Sequence, residues 1–422
     1  MKYRHRVLAL VCVLLTIMML DRVCISVAGP RMQAALHIGP VGWGWVNGVF
    51  ALAFAVFEIP SGILGDRIGP RRVITRIVLW WSAFTALTGA VFSLPILLVI
   101  RFFFGVGEAG GYPNVSVVVA RWFPVRERGL AFGFILMACQ VGGALAPLIV
   151  VPIQMRYGWR GSFCFLGLLG PLWTAVWFFW YRDSPGEKSG VPAAEVAETA
   201  EMHRHHGHSM PWAIALRSGN MWAAPAICFC YIYTYAFFAS WFHTYLVKAR
   251  GFSEKDLWLS SLPYVVAGAA NLLGGFISNI LVQRIGLRWG RCAIGFVGLA
   301  IAGLAIVGVM FTHSPGITLA LLALANGAIT FQQPIMFAVC LDIGGACSGA
   351  MVGVMNTASG CASFIGAIAF GYIVSRTGGY TMPFVPMALL LFTGAMLWLY
   401  IDPRKQLESK ERMHPEAAVA LA

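Results

Sequence analysis

Twelve stretches of mostly apolar residues alternate with short polar turns along the chain: residues 7–29, 41–65, 73–93, 95–120, 129–154, 160–181, 217–247, 256–283, 291–312, 315–340, 347–375 and 380–401. Each is close to the ~20 residues an α-helix needs to cross a hydrocarbon core. The pattern therefore predicts twelve membrane-spanning helices, called spans 1 to 12 below. Short gaps make neighbouring spans antiparallel hairpins. One long polar stretch, residues 182–216, divides them into two sets of six. The predicted organisation is an N-terminal six-helix bundle (1–181), a cytoplasmic linker (182–216), a C-terminal six-helix bundle (217–402) and a cytoplasmic tail (403–422). The linker holds Glu195, Glu198 and Glu201, then His203, His205, His206 and His208. A His-rich tract can bind metal, but a solvated linker accounts for it more simply.

Composition narrows the class. Only 11% of residues are charged against 59% apolar, where a soluble domain carries about 25% charged residues. Too few charges remain to coat soluble cores, which excludes a soluble enzyme, a disordered chain and a nucleic-acid-binding protein. The net charge of +13 comes from Lys and Arg placed between apolar blocks. With the N-terminus inside, the inner stretches hold 21 of the 30 Lys and Arg, the outer loops seven, and spans 1 and 4 hold Arg22 and Arg101. That asymmetry puts both termini in the cytoplasm. The first apolar run contains Asp21 and Arg22 and lacks a small-x-small cleavage site, so it is a retained span and not a leader. Ten scattered cysteines show no metal or disulfide spacing and read as small buried apolar residues.

The two halves repeat weakly. Arg67-Ile-Gly69-x-Arg71 after span 2 returns as Arg284-Ile-Gly286-x-Arg288 after span 8. Two parallel halves with a site at their interface is an alternating-access plan. Gly62-x-x-x-Asp66-Arg67-x-Gly69-x-Arg71-Arg72 resembles the signature of the major facilitator superfamily, and the resemblance covers about residues 7–402. Three further stretches resemble its anion:cation symporter family, carriers of organic anions: Leu20-Asp21-Arg22-Val-x-Ile-Ser-Val-Ala28, Arg101-Phe-x-x-Gly105-x-Gly107-Glu108-Ala-Gly-x-x-Pro113-Asn114, and Arg121-Trp122-Phe123-Pro124-x-x-Glu127-Arg128-Gly129.

Charges inside the bilayer are costly, roughly 2.5–3.5 kcal/mol each on insertion scales, and by default mark function. Asp21, Arg22, Arg101 and Glu108 are the clear cases. At 1.5 Å per residue, Arg22 lies ~22 Å, Arg101 ~27 Å and Glu108 ~16 Å above the cytoplasmic end. Two acids and two bases thus share one layer, able to pair as Asp21–Arg101. An Arg fork suits a carboxylate, and a carboxyl out of water can take up a proton. The family resemblance implies that Arg22 binds the substrate carboxylate while Asp21, Arg101 and Glu108 couple protonation to binding. Two buried ion pairs holding spans 1 and 4 together are the structural alternative.

In the second half, polar side chains stand where the charges would be. Gln333, before Pro334, and Asn356 sit where the resembling family places substrate contacts, and Gln140 in span 5 is similar; these three are the candidate polar contacts. Departures from the family are His243 in place of the usual Pro, near the outer end and expected to titrate or be partly wet, and Phe54 where an aromatic hydroxyl is common. At the cytoplasmic mouth, Asp66, Arg67, Arg71 and Arg128 are candidate gating residues, Asp66 meeting a helix N-terminus or Arg128, and Glu58 is expected to pair locally. Gly142, Gly143, Pro147, Gly360 and Gly366 read as packing and hinge sites.

The sequence therefore points to an all-α, monomeric, multi-pass protein of a bacterial-type inner membrane. It is no enzyme and needs no cofactor. It would import an organic anion, most simply a sugar acid, by proton symport, with sodium coupling left open. The alternatives are a proton-coupled exporter of organic anions or drugs, and a carboxylate receptor that does not transport.

Overall fold

The computed structural model describes residues 2–192, 195–196, 198, 216–344 and 348–405, without the side chains of residues 59, 66, 125, 126, 129, 254 and 348–350. Its helices are α1 (Tyr3–Ala35), α2 (Pro40–Ile68), α3 (Pro70–Thr88), α4 (Leu94–Glu108), α5 (Gly111–Trp122), α6 (Val125–Trp180), α7 (Gly219–Ser240), α8 (Phe242–Arg250), α9 (Leu262–Ile285), α10 (Leu287–Phe311), α11 (Pro315–Gly344), α12 (Ser348–Thr377) and α13 (Phe384–Tyr400).

Twelve spans are recovered, but not as twelve plain helices. Span 4 is broken into α4 and α5, and span 7 into α7 and α8. Helix α6 carries spans 5 and 6, reversing at Gly158 with φ of 74°. Nine stretches among the described residues are long and apolar enough to cross a membrane. One of these, Leu130–Trp180, contains two spans, and α3 and α13 complete the twelve. Large apolar side chains such as Phe92, Leu172, Phe276, Leu304 and Phe311 stay exposed on the outer faces, as a hydrocarbon solvent allows.

The internal repeat is visible in the backbone. Gly69 (φ 88°) separates α2 from α3, and Gly286 (φ 84°) separates α9 from α10. Each amide donates to the carbonyl four residues back, at 3.1 Å. A positive φ with an extended ψ is cheap only for glycine, so both copies of Arg-Ile-Gly need it. In the first half α1 and α3 pack on α6, and α2 on α4; in the second α9 and α10 pack on α11, and α12 and α13 on α7. The halves meet through α2 on α12, α9 on α6, and α1 on α7 and α8.

The linker departs from the expected solvated segment where it is described. Glu195 is buried, and its carboxylate accepts from the amides of Tyr3 (3.2 Å) and Arg4 (2.8 Å). It therefore caps the free N–H groups and positive dipole end of α1. Arg4, also buried, donates to Glu127 at 2.9 Å and Glu198 at 2.5 Å. The linker is thus stapled to the end of the bundle that carries the chain termini. His203, His205, His206 and His208 lie outside the described residues.

Candidate functional site

The site forms where span 4 breaks. Helix α4 ends on Glu108, and Gly110 adopts φ of 86° before α5 begins. A Cβ at Gly110 would collide with Ser61. Asn114 braces the break by donating to the carbonyls of Gly110 (2.8 Å) and Ser61 (3.2 Å). Gly105 and Gly107 bring α4 against Ala53 and Trp80. Glu108 is fully buried, and Arg22 Nε donates to its Oε1 at 2.8 Å. A carboxylate at a helix C-terminus faces the negative end of the dipole, and the guanidinium supplies the opposite charge. The Arg22 guanidinium carbon also lies 4.4 Å from the Phe54 ring centre, 5.5 Å from Phe50 and 5.9 Å from Tyr112. Arg22 Nη2 and Glu108 Oε2 are buried and have no partner.

The pairing differs from the expected Asp21–Arg101. No ion pair joins those two among the described residues. Successive residues of a helix point about 100° apart, so Asp21 and Arg22 cannot both face α4. Arg22 takes that face. Asp21 is buried against Trp81, whose indole N–H faces it without closing a well-formed hydrogen bond. Arg101 is buried over the rings of Phe50 (4.5 Å) and Phe104 (4.8 Å). The faces of aromatic rings receive a desolvated guanidinium well, which is how Arg101 sits without a carboxylate. The four charges do share one region: Glu108 lies within electrostatic reach of Asp21, Arg22 and Arg101.

Span 5 and the second half add buried polar groups of their own. Gln140 is buried with its Oε1 unpartnered, packed on Gly268 of α9. One turn along α9, Asn271 is buried with both amide atoms unpartnered. Buried amides without partners are rare in folded proteins, and these mark open hydrogen-bonding capacity. Gln333 is half-buried, whereas its neighbour Gln332 is buried against Gly298 and donates to the Ile329 carbonyl at 3.2 Å. Asn356 does reach across the halves, but its partner there is a protein group: its Nδ2 donates to Glu58 Oε1 at 3.4 Å. Glu58 therefore does not pair locally. It faces the opposite half and lies within electrostatic reach of Arg22. The rule that marked Asp21 and Glu108, an acid inside a span, would have found it had it not been placed so near the loop.

Of the expected gating residues, the Asp66 side chain lies outside the described residues. Arg67 is exposed. Arg71 donates its backbone amide to Asp183 (2.8 Å) and its guanidinium to the Phe178 carbonyl (3.0 Å). Arg128 donates to the carbonyls of Ala120 (2.8 Å) and Phe123 (3.1 Å), closing the end of α5. Free carbonyls at a helix C-terminus attract a cation.

At the end remote from the termini the two halves are sewn together. Gln33 Nε2 donates to Thr244 (3.0 Å), Lys248 donates to Gln33 Oε1 (2.9 Å), and Trp43 Nε1 donates to the Ser240 carbonyl (3.1 Å). His243 is at the centre and fully buried, not wet as its position near the outer end led us to expect. Its Nε2 is hydrogen-bonded to the Ser260 hydroxyl (2.9 Å) and its Nδ1 to the Ser26 hydroxyl (3.0 Å). His243→Ala removes two bonds of about 1 kcal/mol each. The far end should then open more often. Buried Cys24 on α1 should label roughly thirtyfold faster with a maleimide applied from that side, followed by mass spectrometry. An unchanged rate would remove His243 from the closure.

Comparison with known proteins agrees with this architecture. The model of the Major Facilitator Superfamily matches residues 11–367. The chain is 34% identical to the probable sulfoacetate transporter SauU of Cupriavidus necator, over 100% of this chain and 99% of that protein. It is 29% identical to the probable galactarate/D-glucarate transporter GudP of Bacillus subtilis, covering 89% of this chain and 85% of the relative. Among solved structures, an inward-facing bacterial homologue of the human lysosomal transporter Spinster superposes with a TM-score of 0.75 at 19% identity, over 94% of this chain and 96% of that one.

Proposed function

We propose, from the premise that this chain belongs to the Major Facilitator Superfamily, that it imports an organic anion by proton symport. That it is a multi-pass membrane transporter and not an enzyme follows from the family itself. Relatives named for sulfoacetate, hexuronate and galactarate/glucarate make a small organic anion the cargo. A sugar acid is the class we favour, with both termini on the cytoplasmic side of a bacterial inner membrane.

The observation that carries the reading is the Arg22–Glu108 contact at 2.8 Å with Nη2 and Oε2 left over. Arg22 Nη2 is a donor with no acceptor, and a substrate carboxylate supplies one. Asp21 and Glu108 are the proton acceptors of the reading. An unpaired carboxylate sealed from water costs several kcal/mol, and a proton removes that charge. Protonating Glu108 weakens its hold on Arg22 and frees the guanidinium for the substrate, so proton and anion enter together. Gln140, Asn271 and Gln333 offer amides to substrate hydroxyls. Arg101, held over the Phe50 and Phe104 rings, keeps a positive field on the layer.

External pH in a lightly buffered suspension of expressing cells tests this. Adding the transported acid, from a panel of sugar acids, sulfonates and aromatic acids, should alkalinise the medium. No pH change with any acid would overturn proton symport in favour of sodium coupling, exchange or export.

A further inference from the structure

One acid of the interface is not used in that scheme. Phe50, Phe54 and Glu58 stand four residues apart on α2, so they form one stripe along a single face. Phe50 and Phe54 both lie under the Arg22 guanidinium. Glu58 continues the stripe one turn, about 5 Å, toward the end that carries the termini. It is buried and within electrostatic reach of Arg22, and Asn356 of α12 holds it from the opposite half at 3.4 Å. The layer around Arg22 thus contains three acids, Asp21, Glu58 and Glu108, against two bases, Arg22 and Arg101.

We propose that Glu58 is a specificity-determining residue that selects against a second negative charge on the substrate. This rests on the reading of Arg22 as the anion anchor. A small anion fixed to Arg22 extends along the walls of the site, and the α2 stripe leads from the anchor to Glu58. A neutral hydroxylated tail can donate to the Glu58 carboxylate or exchange hydrogen bonds with the Asn356 amide. A second carboxylate or sulfonate would stand beside a like charge in a poorly screened site. The favoured cargo is then a monoanion with hydroxyls at its far end.

The test uses two matched pairs of probes that differ in one charge: gluconate against glucarate, and 2-hydroxyethanesulfonate against sulfoacetate. Binding is titrated on the purified full-length chain in detergent by intrinsic fluorescence, with thermal unfolding to confirm that each variant is folded. Wild type should bind at least one monoanion roughly tenfold more tightly than its dianionic partner. Glu58→Gln keeps an acceptor for Asn356 and loses the charge, so the ratio should fall to about one. Glu58→Asp should restore the preference, which a purely structural role would not predict; Glu58→Ser takes the place of the Gln variant if that does not fold. A wild type that binds the dianion as tightly as the monoanion overturns the proposal, as does a ratio unchanged in Glu58→Gln. Silence in the wild type from all four probes, and equally from a hexuronate and an aromatic acid, overturns the organic-anion reading itself, and this proposal with it.

Discussion

Arg22→Lys should lose organic-anion binding by about a hundredfold, below detection in most assays. Lys keeps the charge and can still meet Glu108. It cannot offer two parallel donors, nor lie flat on the Phe54 ring at the 4.4 Å seen for Arg22. Charge-assisted hydrogen bonds contribute about 1.5–3 kcal/mol each, and losing one with the stacked geometry accounts for that factor. The unsatisfied Nη2 is the atom whose loss would be felt. Direct titration with the substrate named by the alkalinisation experiment checks it. Wild-type affinity in Arg22→Lys would show that the anion is anchored elsewhere.

Glu108→Gln should separate exchange from accumulation. Gln has nearly the shape of Glu and keeps an acceptor at the Oε1 position that Arg22 Nε contacts at 2.8 Å. It cannot take up or release a proton. Labelled counterflow should therefore persist. Uptake driven by a pH gradient should fall to equilibration, losing the about tenfold accumulation that one pH unit supports for one coupled proton. If Glu108→Gln still concentrates substrate under an imposed gradient, Asp21, the buried acid of this layer that has no ion pair, becomes the residue to replace. The two variants also test one picture together. Arg22→Lys should impair binding at every pH, whereas Glu108→Gln should remove the pH dependence and spare binding.

Much of the molecule was legible because transfer to hydrocarbon acts residue by residue. Long apolar runs must become helices where water is absent, and that alone predicts the twelve spans. The cost of a charge in the bilayer singles out Asp21, Arg22, Arg101 and Glu108 without any coordinates. The Arg-Ile-Gly repeat marked two parallel halves, and the structure adds that Gly69 and Gly286 both take a positive φ there, which favours glycine in each. Gly105, Gly107 and Pro113 beside Glu108 were legible as part of a motif that resembles the family's. Their effect, ending α4 on the carboxyl itself, depends on how Ser61 and Asn114 meet the break.

The sequence by itself determined the class of molecule, the number and depth of its spans, and which residue types had to be buried at a cost. Tertiary structure alone decided who pairs with whom. Depth follows from counting residues, but a partner depends on helix rotation and on which neighbour is packed against that face. Rotation turns Arg22 to Glu108, sends Asp21 toward Trp81 and leaves Arg101 on Phe50 and Phe104. Contacts between the halves were least legible, because they join residues some 200 to 300 positions apart. Glu58 with Asn356, His243 with Ser26, and Gln33 with Thr244 each look locally like an ordinary polar residue near a helix end. Only the packing of one six-span half on the other makes them contacts across the transport path.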